Sequence, residues 1–152
     1  KSKEKSKIII SKQTDNVPLK IEKLSAASPS LDQIKNLINT WLISKSIYMS
    51  GESEINLSEI AKETLIKRTI KNRQSDIKKG IYKEINTQID KIELVSQSSS
   101  RIVVSAELNY LEKIKRNSGE LINETSLNPL KVKYFLGFIG NSWKLADFVN
   151  VK

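Results

Sequence analysis

Between Ser30 and Gly51, apolar residues recur at helical spacing: Leu31, Ile34, Leu37, Ile38, Trp41, Leu42 and Tyr48. That period predicts an amphipathic helix. Ser30 followed by Gln33 has capping-box spacing, and Gly51 supplies the stop. A second helix is predicted from Asn56, with Glu59 three residues on and an apolar stripe of Leu57, Ile60, Ala61 and Leu65. Beyond Arg68 the pattern fades into "KNRQSDIKKG", read as a short basic helical stretch that Gly80 ends.

After Gly80 the period changes to two. Ile81, Lys83, Ile85, Thr87 and Ile89 share one side, whereas Ile92 and Leu94 fall on the other parity. A β-bulge at Asp90 and Lys91 accounts for the switch. "SQSSS" reads as a turn. The cleanest strand follows, with Ile102, Val104, Ala106, Leu108 and Tyr110 inward and Val103, Ser105, Glu107 and Asn109 outward. "KRNSGE" has turn chemistry, and the segment from there to Pro129 is read as irregular. Leu130, Val132, Tyr134, Leu136 and Phe138 then alternate with Lys131, Lys133, Phe135 and Gly137. Gly140 and Asn141 suit a two-residue hairpin turn, which favours residues tolerant of positive φ. Trp143, Leu145, Asp147 and Val149 form one side of the last strand.

This order predicts an α+β fold, with two or three N-terminal helices packed on a curved antiparallel sheet of three or four strands. The architecture expected is a cone of the nuclear-transport-factor or cystatin type. Residues 1–29, with "KSKEKSK" and "LSAASPS", read as a Lys/Ser-rich linker or tether, and residues 30–152 as one domain. "KIII" and "VPLKIEKL" within the tether are candidates for docking as an extended edge. A chain of 152 residues is long enough to bury a real core.

Composition narrows the chemistry. The chain has no cysteine and no histidine. Disulfides, thiolate sites, Ser-His-Asp catalysis and ordinary zinc sites are excluded. Net charge is +9, but the first 27 residues hold seven lysines against Glu4, Asp15 and Glu22, so four of those charges sit on the tether. The remainder are scattered beside acidic neighbours, which points to solubility more than to a dedicated nucleic-acid groove. No stretch approaches the ~20 apolar residues of a membrane span. The chain begins with Lys1 and reads as part of something longer, with room for a span upstream.

Candidate sites are few. The inward strand positions in Ile102–Tyr110 and Leu130–Phe138 include no carboxylate or lysine. Tyr110, Tyr134 and Asp147 are the residues able to line a pocket, although core tyrosines and a solvated strand-end acid give the same pattern. No catalytic, cofactor-binding or metal-binding residues are predicted. On the outer face Lys131, Lys133, Phe135 and Val103 form a basic stripe with an aromatic, a candidate partner surface. An ordinary amphipathic outer face reads the same way.

Four stretches in order carry a family resemblance: "LINTWLISK" with Gly51, "IYKEINTQIDKIELVS", "RIVVSAELNYLEKI" and "NPLKVKYFLGFIGNSWKL". They resemble the C-terminal domain of the plastid-division family "accumulation and replication of chloroplasts" and its cyanobacterial cell-division counterparts. The likeness runs from about Asp32 to Leu145. It departs where the family has a tryptophan late in the second helix and an aromatic cluster before the tyrosine-initiated strand, since this chain has "IKRTIKNRQS" and "KKGIY" there.

The resemblance implies a non-enzymatic interaction domain of a membrane-anchored scaffold that organises the division ring. It places the domain in the periplasm or the plastid intermembrane space, held by a span outside this sequence. The implied partners are other division proteins or an extended peptide tail, with homo-oligomers compatible, no specific nucleic acid and no cofactor. Two alternatives stand beside this: a small-molecule binder or enzyme using the cone interior, and a binder of nucleic acid or anionic surfaces.

Overall fold

The computed structural model describes residues 21–52 and 56–151; the expectations for the tether up to Lys20 lie outside them. Two helices, α1 (Leu31–Met49) and α2 (Glu63–Lys79), precede four strands, β1 (Ile81–Gln97), β2 (Arg101–Arg116), β3 (Leu121–Ile139) and β4 (Ser142–Val151). The strands form an antiparallel meander in the order β1-β2-β3-β4. The sheet is open, with β1 and β4 at its edges, and does not close into a barrel.

α1 begins as its sequence dictates. The Ser30 side chain accepts from the Gln33 N–H at 3.1 Å, and Gln33 Oε1 accepts from the Ser30 N–H at 2.8 Å. The box satisfies two of the helix's orphan donors. Ile34, Leu37, Ile38 and Trp41 are buried on one side of α1, which packs mainly on β1. The helix ends at Met49, and Gly51 follows with φ 89°. A Cβ there would lie 2.9 Å from Arg73 Nη2.

Two predicted elements are corrected. α2 starts at Glu63, not near Asn56, and runs unbroken to Lys79. Leu57, Ile60 and Ala61 are buried nonetheless, in a turn whose end is stitched to β4. The Leu145 N–H donates to the Ile60 carbonyl at 2.7 Å, and the Lys62 N–H to the Leu145 carbonyl at 2.8 Å. Their spacing mimics a helix because they plug the core from a loop. The stretch read as irregular before Pro129 is the first half of β3, paired with β2 from Lys115↔Leu121 to Tyr110↔Leu127. Its side chains are largely exposed, so it has little hydrophobic alternation to show. Pro129 sits where the register shifts between Leu108↔Leu130 and Tyr110↔Leu127, a place where a residue without an N–H is tolerated.

The bulge expected in β1 is present between Ile89 and Lys91. β3 and β4 also slip, between Phe135↔Asp147 and Leu136↔Leu145. The slip leaves Ala146 without a partner and reverses the expected parity beyond Leu145. Phe148 takes the core-facing place opposite Tyr134.

The core gathers α1, the Leu57–Ala61 turn, Leu65 of α2, Ile89 of β1 and the inner face of β2, β3 and β4. Upstream of α1, Leu24 bridges to Trp143, whose N–H donates to the Leu24 carbonyl at 2.7 Å. The Trp143 ring N–H donates to the Ala26 carbonyl at 2.9 Å. Trp41 and Trp143 are each at most 1% exposed; burying a large apolar side chain contributes roughly 1.5–3 kcal/mol.

Candidate functional site

The strand alternation that fills the core continues past Leu108 and Val132, but the covering helix does not. Between α1 and the far half of the sheet an open cleft of about 360 Å³ remains. Its floor is Trp41, Leu42, Leu108 and Val132; its walls come from Leu127 and Leu130 of β3 and Phe148 of β4. Polar atoms enter from Thr87, Tyr110, Glu112, Thr125, Tyr134 and Asn150, and a cation from Lys45.

Lys45 lies one helical turn beyond Trp41, so both project from the same face of α1. Its Nζ stands 4.9 Å from the Phe148 ring centroid and 5.8 Å from that of Trp41, within cation–π range. Burial depresses the Lys45 amine below the ordinary lysine value, and the charges of Arg68 and Lys83 push the same way; Glu112 opposes them. Tyr110 donates to Glu112 Oε1 at 2.6 Å. Burial, and then this bond, raise its phenol pKa. Tyr134 is raised by burial alone, and its ring lies 6.1 Å from that of Phe148.

The structure therefore brings Tyr110 and Tyr134 together in one cleft, as their shared parity predicts. Asp147 is not with them. The slip at Ala146 turns it towards α2, where Arg68 Nη2 donates to its Oδ1 at 3.0 Å. This hydrogen bond holds the carboxyl below its ordinary range; burial opposes it, and a bond from the Phe148 N–H and the Arg68 charge add to it.

The expectation of an interior without a carboxylate or lysine is also corrected, by Lys45 and Glu112 in the cleft lining. Both had a signal. Glu112 has the parity of Leu108 and Tyr110, and Lys45 continues the stripe of Ile34, Ile38 and Trp41. Among the described residues, no three acidic side chains gather as a metal ion would require.

On the opposite face, Val103↔Phe135, Ser105↔Lys133 and Glu107↔Lys131 are cross-strand partners, so the four outer-face candidates are contiguous. The Arg101 guanidinium lies over the Phe135 ring at 5.4 Å. Val103 is only 6% exposed, leaving the cations and the ring as the accessible chemistry.

Beyond Lys131, β4 no longer accompanies β3. From Leu121 to Leu130 the outer edge of β3 has no neighbouring strand among the described residues. Leu121, Ile122 and Leu127 are exposed along it.

Residues 34–146 match the family model described as "ARC6-like, IMS domain". The fold is similar to a solved structure described as "Crystal structure of intermembrane space region of chloroplast protein ARC6". The TM-score is 0.65 at 15% identity, over 82% of this chain and 98% of that one. Nothing matches among curated proteins.

Proposed function

Because this chain belongs to the ARC6-like IMS domain family, we propose that it is the protein-interaction domain of a membrane-anchored division protein and catalyses no reaction. The domain works in a periplasm or plastid intermembrane space, and its partner is another division protein that presents an extended segment. Membership of that family, together with the likeness to the intermembrane-space region of chloroplast ARC6, supports the compartment and the division role. No helix among the described residues is long and apolar enough to cross a membrane, so the anchor in this reading belongs to another part of the protein.

The observation that carries the reading is the edge of β3 from Leu121 to Leu130, which no strand among the described residues covers. Its unpaired backbone donors and acceptors are a template for an added strand. Thr125 and Leu127 of this stretch also line the cleft, so an added strand has a concave wall beside it for its side chains. The contiguous Lys131, Lys133, Phe135 and Val103 favour a second reading, in which an acidic partner lands on the outer face.

The test is amide hydrogen exchange of the chain with and without candidate division proteins. Protection confined to Leu121–Leu130, with binding weakened at least ~10-fold by Ile122→Lys with Leu127→Lys, supports the edge. Binding that resists those changes but fails with Lys131→Glu and Phe135→Ala moves the interface to the outer face. Normal division after deletion of the domain removes the division role, and turnover by the purified chain removes the non-enzymatic one.

A further inference from the structure

The cleft holds a cation that the fold does not neutralise. Lys83 has Asp76 at 3.2 Å and Arg68 has Asp147 at 3.0 Å. Lys45 has no carboxylate at ion-pair distance among the described residues, and the groups beside its ammonium are the Trp41 and Phe148 rings. Glu112 is the acid in the lining, and its Oε1 is held by the Tyr110 hydroxyl.

A partly buried ammonium without a counter-ion is costly, and a bound anion would offset that cost. The Tyr134 hydroxyl makes no hydrogen bond among the described residues, and its ring flanks Phe148, which Lys45 also touches. It offers a second donor for the same anion. The floor that continues from this point is apolar: Trp41, Leu108 and Val132. The volume falls at the small end of the roughly 300–1,000 Å³ typical of ligand sites.

We propose that this cleft is a binding site for a small amphipathic monocarboxylate, with the carboxylate on Lys45 and Tyr134 and the apolar body on the Trp41–Leu108–Val132 floor. One uncompensated positive charge matches one negative charge, and Glu112 disfavours a dianion. This site shares its Thr125 and Leu127 wall with the proposed strand-binding edge, but the proposal does not rest on that reading and stands even if no strand ever adds to β3.

Octanoate, 1-octanol and octylammonium share a body and differ in the head, which makes them the probes. Each is titrated into the 152-residue chain and followed by calorimetry and by the fluorescence of Trp41 in a Trp143→Phe background. Octanoate is expected to bind at least ~10-fold more tightly than octanol, a difference of about 1.4 kcal/mol, and octylammonium least. Lys45→Met is expected to erase the preference for octanoate while octanol binding persists, Lys45→Arg to retain it, and Glu112→Gln to tighten octanoate. Equal binding of the acid and the alcohol overturns the proposal. So does a preference that survives Lys45→Met, or the absence of saturable octanoate binding. Should Trp143→Phe or Lys45→Met unfold, calorimetry on the parent chain and on Glu112→Gln still decides.

Discussion

At the hairpin end of the sheet, Ile102, Leu136, Trp143 and Leu145 are each at most 1% exposed, packed among α1, the Leu57–Ala61 turn and the strands themselves. At the other end the same β2–β3 ladder continues through Tyr110–Leu127 to Lys115–Leu121. There its side chains are half-buried or exposed, and the cleft opens. Backbone pairing runs through both regions; what differs is what lies on top. Local sequence makes the strands, whereas covering by helix, turn and Leu24 decides which half becomes core and which half stays open. The surface proposed above for interaction is the part of the sheet that the described residues leave uncovered.

Three measurements sharpen that contrast. The largest effect is expected at the closed end: Trp143→Ala removes a fully buried ring and its bond to the Ala26 carbonyl, costing about 3–5 kcal/mol in denaturant unfolding. A loss below about 1 kcal/mol would mean that the hairpin end is not the stabilising half. Next comes the cleft. Lys45→Met should raise the unfolding midpoint at neutral pH, because the native environment disfavours the charged amine. The sign follows from proton binding: a base whose folded pKa is lowered binds fewer protons than in the unfolded chain. The parent therefore gains stability as pH rises from the folded pKa towards the ordinary lysine value near 10.4, and the advantage of Lys45→Met shrinks over that window. A constant difference across that range would refute the assignment. The smallest effect is expected at the open edge, where Leu127→Ser should shift stability by no more than ~0.5 kcal/mol. A larger loss would show that Leu127, 42% exposed, is covered by something the chain itself supplies.

Most of the fold can be read from single residues. Ser30 and Gln33 fix the start of α1, Gly51 follows its end, the parity change after Ile89 gives the first bulge, and Gly140 begins the last hairpin turn with φ 70°. The misreadings share one cause, tertiary pairing that leaves no local trace. Leu57, Ile60 and Ala61 have helical spacing but serve as a plug on Leu145. Leu121–Asn128 is largely exposed and has no clean alternation, and it is held as strand by β2 alone among the described residues. The Ala146 slip, which exchanges Asp147 for Phe148, has no composition signal. The site was half legible. Tyr110 and Tyr134 follow from alternation, and Lys45 continues the α1 stripe, but that its ammonium enters a cleft shows only once the sheet is seen to outrun the helix that covers it.

The attachment of Leu24 and Ala26 to Trp143 also has a mechanical meaning. Tension arriving along the chain from upstream meets β4 before it reaches α1, because that stitch precedes Ser30 in the sequence. The load is delivered to the best-anchored tryptophan of the domain, at the end away from the cleft. A domain pulled by its leader would thus keep its open end unstrained until the stitch gives way, and the stitch would act as its strain relief.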